Sequence, residues 1–125
     1  MEIKTKSKEI GEIAQKYGLE LVVLFGSRAR GDNRSASDAD VAYLASVPLP
    51  LMDEARLALE LAPILGGVID LANIKGASPL LARHIFKDGK TLYEREAGLS
   101  TEMFIKSLRV YQETVPLYEA KFALL

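Results

Sequence analysis

A chain of 125 residues is enough for one domain around one core, and its 49% hydrophobic and 26% charged residues match an ordinary globular composition rather than a disordered or fibrous one. The formal net charge of −1 excludes a global pull toward nucleic acid, so any polyanion must be held by a local patch and direct nucleic-acid binding is not expected. No cysteine means no disulfide and no thiolate chemistry, no apolar run is long enough to span a bilayer, and Met1-Glu2-Ile3-Lys4 lacks a signal-peptide stretch; a cytoplasmic protein away from membranes is the expectation.

The first element is an amphipathic helix over Ile3 to Tyr17, because Ile10, Ile13, Ala14 and Tyr17 recur at helical spacing. Gly18 stands where a left-handed C-cap belongs. Leu19 to Phe25 follows as a strand whose continuous apolar run Leu21-Val22-Val23-Leu24-Phe25 suits a strand covered on both faces. Gly26-Ser27 ends it and opens a short helical turn through Arg28-Ala29-Arg30. A second strand is expected over Asp38 to Leu44. Pro48 and Pro50 break the chain, and Asp53 to Ala62, rich in Ala, Leu, Glu and Arg, favours helix. Gly66-Gly67 turns into a third strand, Val68 to Ile74. Ser78-Pro79 reads as a helix start with an N-cap serine and a first-position proline, the helix running to about Lys87 before Gly89. Thr91 to Tyr93 forms a short strand. Ser100 is expected to cap a last helix with Phe104, Leu108, Tyr111 and Val115 on one stripe, interrupted or ended at Pro116. This alternation of strands and helices gives an α/β or α+β fold with helices packed on a sheet.

Gly26-Ser27 has the chemistry of a phosphate turn. Backbone N–H groups are free at the start of a helical turn, glycine lets a phosphate approach them, and the serine hydroxyl adds a donor. Arg28, Arg30 and Arg34 supply cations nearby. On its own a Gly-Ser turn is common and carries little weight.

Asp38 and Asp40 carry more. Residues two apart on a strand share a face, about 6.6 Å apart at roughly 3.3 Å per residue. Two carboxylates so placed repel unless a cation lies between them, and hard oxygen donors that also share substrate phosphates suit Mg²⁺. Such a pair can clamp two ions about 3.5–4 Å apart. The competing reading is a solvated strand start. Asp70 lies in the apolar strand Gly-Val-Ile-Asp-Leu-Ala-Asn-Ile, where an ionised group is costly unless paired or metal-bound. If that strand neighbours the second, its carboxylate lies about 5 Å across the sheet from the first two. Asp70 could then act as general base on an attacking hydroxyl, with the rest of the chemistry supplied by positioning and charge stabilisation. Its competing reading is a strand-end residue facing water.

Gly26-Ser27, ten intervening residues, Asp38-Ala39-Asp40 and a later strand aspartate, Asp70, together resemble the signature of the minimal nucleotidyltransferases, the small branch of the DNA polymerase β-like superfamily. The likeness extends through Ser37 to Ala42, includes Asp32 after Gly31, and reaches Arg83, Gly89 and Leu92-Tyr93-Glu94, covering about Leu21 to Glu94. It implies a polymerase β-like fold with a mixed β-sheet, residues 1–98 forming the nucleotidyltransferase domain and 99–125 a helical extension. It implies Mg²⁺-dependent transfer of AMP from ATP to a hydroxyl. Gly26, Ser27 and Arg28 would hold the triphosphate, Asp38, Asp40 and Asp70 would bind both ions, and Asp70 would serve as base. Small members are often paired with HEPN-domain ribonuclease toxins and adenylylate a toxin tyrosine, acting as antitoxins; the resemblance implies such a partner and leaves a homo-oligomer open. The alternatives are an aminoglycoside-type transferase, which generally needs a further helical domain, and a non-catalytic antitoxin that works by binding.

The stretch Thr101 to Leu125, with Phe104, Tyr111, Tyr118, Phe122 and Leu124-Leu125, is a large apolar load beyond the motif. Phe104 to Tyr111 is expected to fold back on the core, while the part after Pro116 suits the core or a partner equally. His84 reads as a surface or packing residue, and Arg83 as an exposed helix charge rather than a phosphate contact. Lys4, Lys6 and Lys8 read as a solvated face. No His/Cys cluster suits zinc, and no nucleophile elbow accompanies Ser27.

Overall fold

The computed structural model describes residues 2–31 and 38–123. Asp32, Arg34, Ser37 and Leu124-Leu125 lie outside the described residues, as do the side chains of Lys4, Tyr118 and Phe122. In chain order the elements are α1 (Glu2–Lys16), β1 (Leu19–Phe25), α2 (Gly26–Arg30), β2 (Ala39–Ala45), α3 (Leu51–Leu65), β3 (Ile69–Asn73), α4 (Pro79–Lys87), β4 (Lys90–Glu94) and α5 (Leu99–Ala123).

The strands form one mixed sheet in the order β3-β2-β1-β4. β1 pairs antiparallel with β2 and with β4, and β2 pairs parallel with β3. The parallel pair is joined through α3, because only a crossover can return the chain to the same end of the sheet. β1 is thus interior, and helices cover both of its faces, which explains its unbroken apolar run. Its alternate residues enter different cores. Leu19 and Val22 join Ile10 and Ala14 of α1 and Leu57 and Leu61 of α3 on one face. Leu21, Val23 and Phe25 join Ile85 and Phe86 of α4 on the other, with Leu99, Met103 and Phe104 of α5 packed against them. Tyr43, almost fully buried, donates its hydroxyl proton to Glu54 Oε2 at 2.5 Å and so ties β2 to α3. Tyr17 likewise donates to Glu60, joining the end of α1 to α3, and burial followed by this bond pushes its phenol up to about 12.

Several boundaries differ from the sequence expectation. β2 begins at Ala39, one residue after Asp38, where the Ala39 N–H donates to the Val68 carbonyl at 2.8 Å. α3 starts two residues early, directly after Pro50, and runs through Pro63 in its last turn. The last helix begins at Leu99, so Ser100 lies inside it and does not cap it. The acceptor is Glu94 at the end of β4, which takes the Gly98 N–H on one carboxylate oxygen and the Ser100 N–H, at 3.0 Å, on the other. Pro116 does not end α5. Its missing N–H removes one helical bond, and at an exposed position water takes over the freed carbonyl at low cost. Ser78 does cap α4 as the sequence suggests, its hydroxyl accepting from the Leu81 N–H at 3.1 Å.

Candidate active site

The strand register sets the site. Phe25 of β1 is the cross-strand partner of Asp40 on β2, and Asp40 is the partner of Asp70 on β3. Side chains alternate along a strand, so the face of each can be read from its neighbours. Ala39 and Val41 enter the α1/α3 core, as do Ile69 and Leu71, whereas Phe25 enters the α4/α5 core. Asp40 and Asp70 therefore stand on the α4/α5 side, in one row with Phe25 across three strands. The row lies at the C-terminal end of β1 and the N-terminal ends of β2 and β3.

The two carboxylates meet. They are close enough for a side-chain hydrogen bond, and the Asp40 carboxyl is held above the ordinary aspartate range. Burial is the largest cause; the negative charges of Asp70 and then Asp38 add to it, and His84 opposes it. Asp38 is exposed at the rim, just before β2, and reaches the pair through its charge. Among the described residues no group of three acidic or imidazole side chains is already closed to ligand distance. What is preformed is the Asp40–Asp70 pair, with Asp38 beside it.

The chain turns over this pair. Gly26 has φ +74°, and a Cβ there would stand 2.3 Å from Asp40 Oδ2. Glycine lets the turn lie this close: a side chain would be strained by the backbone and would meet the carboxylate where it now stands. Ser27 follows, partly exposed, and no side chain caps the start of α2 among the described residues. The Arg28 guanidinium donates to the Leu65 carbonyl at 2.7 Å, pinning α2 to the end of α3. Arg30 is exposed.

A neighbour that periodicity does not reveal is His84. It is exposed on α4, as the sequence suggests, yet its ring packs edge-on against Phe25 with centroids 5.8 Å apart and planes at 86°. Only the packing of α4 on β1 brings the two together. Arg83 turns away from the row and lies over the Tyr111 ring of α5, 4.7 Å from its centroid.

The polymerase beta nucleotidyltransferase family matches residues 8–97 of this sequence. The chain belongs to that family. Its nucleotidyltransferase domain resembles the protein adenylyltransferase MntA of Shewanella oneidensis, with 34% identity over 95 residues, 75% of this chain and 67% of the relative. A relative from Methanocaldococcus jannaschii is 31% identical over 88 residues, 70% of this chain and 95% of its own length. Among solved structures, a toxin–antitoxin crystal structure with AMP-PNP superposes with a TM-score of 0.78 at 27% identity, covering 94% of this chain and 95% of that one.

The donor set suits a hard divalent cation. Carboxylate oxygens are hard ligands, and the pair is registered across two strands beneath a turn that glycine brings against Asp40. No soft or imidazole-only ligand set competes at this position.

Proposed function

We propose that this nucleotidyltransferase moves AMP from ATP to a tyrosine hydroxyl of a HEPN-domain ribonuclease toxin in the cytoplasm, and so acts as that toxin's antitoxin. The observation that carries this reading is the row Phe25–Asp40–Asp70, with Gly26 lying against the Asp40 carboxylate. The similarity to an MntA protein adenylyltransferase and to a toxin–antitoxin structure with an ATP analogue supports the donor and the partner class. Residues 1–98 would carry the chemistry and residues 99–125 would extend it as a helix.

In this reading the N–H groups at Gly26 and Ser27 and the Ser27 hydroxyl hold triphosphate oxygens. Asp38, Asp40 and Asp70 would hold two Mg²⁺ ions, which supply charge neutralisation to the polyphosphate when bound. Asp70, at the far side of the row from the Gly-Ser turn, takes the proton of the acceptor hydroxyl. The acceptor oxygen forms a bond to the α-phosphorus, the bond from that phosphorus to the bridging oxygen breaks, and pyrophosphate leaves with the electron pair. Arg28, engaged with the Leu65 carbonyl, serves by fixing α2 under the phosphates.

The test is incubation with labelled ATP, Mg²⁺ and the toxin encoded beside this protein. Label on the toxin that disappears with Asp38→Ala or Asp40→Ala is the expected result. Inhibition of the toxin without label would instead make the protein an antitoxin by occupancy, and label on an aminoglycoside alone would make it a small-molecule transferase.

A further inference from the structure

The three-strand row has a fourth member that its motif does not name. Reading outward from Asp70, the order on the α4/α5 face is Asp70, Asp40, Phe25, with His84 of α4 packed edge-on against Phe25. Phe25 directly precedes Gly26-Ser27 and is itself nearly buried, so the ring beneath His84 is a fixed platform. His84 is exposed, while its neighbours Ile85 and Phe86 are buried in the core that also takes Phe25. Ile85 and Phe86, the two residues after His84, therefore anchor the helix in this core, and the imidazole is left exposed against the Phe25 ring. It is near enough that its charge bears on Asp40.

We infer that His84 is a substrate-contacting residue, donating a ring N–H to the triphosphate of the nucleotide bound beside the Gly26-Ser27 turn. The position along the row selects this role. His84 lies against Phe25, the row member farthest from Asp70 and the residue directly before the Gly-Ser turn, so it stands at the triphosphate end of the row rather than at the acceptor end. The chemistry agrees: an imidazole keeps at least one N–H donor in either protonation state, and a donor aimed at an anion makes a charge-assisted bond. The edge-to-face contact with Phe25 fixes the ring plane before substrate arrives, which lowers the ordering cost of that bond. This inference rests on the nucleotidyltransferase reading of the site.

The experiment measures binding of a non-hydrolysable ATP analogue with Mg²⁺ to the full chain by calorimetry, alongside KM for ATP and kcat. His84→Phe keeps an aromatic ring on Phe25 and removes the donor; His84→Gln keeps a donor without the ring. The expected result is analogue binding weakened about tenfold in His84→Phe, with the loss in KM rather than kcat and an unchanged melting temperature, and substantial recovery in His84→Gln. Wild-type affinity in His84→Phe overturns the inference and leaves the transferase reading standing. Absence of analogue binding to the wild-type chain overturns both. A melting temperature lowered in both variants, with analogue affinity unchanged, assigns His84 to packing and also overturns it.

Discussion

Asp40 and Asp70 are direct partners on two parallel strands, with their carboxyl groups within hydrogen-bond reach of each other. A pair of like charges at that separation works against the fold unless a proton or a cation lies between them. Because the Asp40 carboxyl is raised in the folded state, mainly by burial, its contribution to stability is fully present below the ordinary aspartate range. It is lost as pH rises through the raised value. At neutral pH the metal-free protein therefore carries an electrostatic penalty. Asp40→Asn is expected to raise the melting temperature of the metal-free protein by a few degrees near pH 7, to do nothing of the kind near pH 3, and to abolish AMP transfer. Thermal melts of both proteins in chelator at the two pH values check this; a variant that melts lower at neutral pH would refute it.

The same carboxyl makes ion binding pH-dependent. A cation that replaces the proton held by the Asp40–Asp70 pair competes better as the proton leaves, so Mg²⁺ affinity rises with pH through the Asp40 titration. The shift in melting temperature on adding saturating Mg²⁺ is expected to be small near pH 4 and to reach its full value near pH 7. Equal shifts at both values would mean that the ion does not meet this pair.

Much of this arrangement is readable in the residues themselves. The run Leu21 to Phe25 announces a strand covered twice, and Gly26-Ser27 followed by Asp38-Ala39-Asp40 and Asp70 marks the row, because turn chemistry and strand alternation are local properties. What is not local is harder to read. That Phe25, Asp40 and Asp70 lie abreast depends on the β3-β2-β1-β4 order, which no periodicity encodes. His84 looks like any helix surface residue until α4 is docked on β1. Ser100 carries the composition of a cap, yet Glu94 of a different element takes the amides, because the turn between β4 and α5 brings its carboxylate there first. Arg28 has the right charge for a phosphate, and only the fold shows the Leu65 carbonyl within its reach.

The Glu94 contact gives a prediction about α5. One carboxylate accepts two N–H groups at the start of a long helix, Gly98 at 3.2 Å and Ser100 at 3.0 Å, and its negative charge sits at the positive end of the helix dipole. Glu94→Ala is expected to cost about 1 kcal/mol of stability, within the range for lost helix caps. Nucleotide binding at the opposite end of β1 should be unaffected, since Glu94 pairs with Leu21 and the site lies at Phe25. Urea unfolding, read with a binding isotherm for the ATP analogue, tests both halves. An unchanged midpoint would show that the contact contributes nothing net.

The sharpest dependence is at Gly26. Its φ of +74° disfavours any L side chain by roughly 1–2 kcal/mol, and the added Cβ would stand 2.3 Å from Asp40 Oδ2. The obstacle is a single side chain, Asp40, whose Oδ2 is the nearest atom, so the fold has a way out: Asp40 swings aside, and the pair with Asp70 opens. Gly26→Ala is therefore expected to remain folded, melting a few degrees lower, while AMP transfer falls by orders of magnitude because a carboxylate has moved. A substitution that merely strained the turn would give the opposite balance, a large loss of stability with the activity of the folded fraction retained. Measuring the melting temperature and the rate of toxin labelling on the same preparation separates the two. Adding Asp40→Ala discriminates further: if the damage at Gly26 runs through the carboxylate, the melting temperature of the double variant should recover the part of the loss that came from the collision.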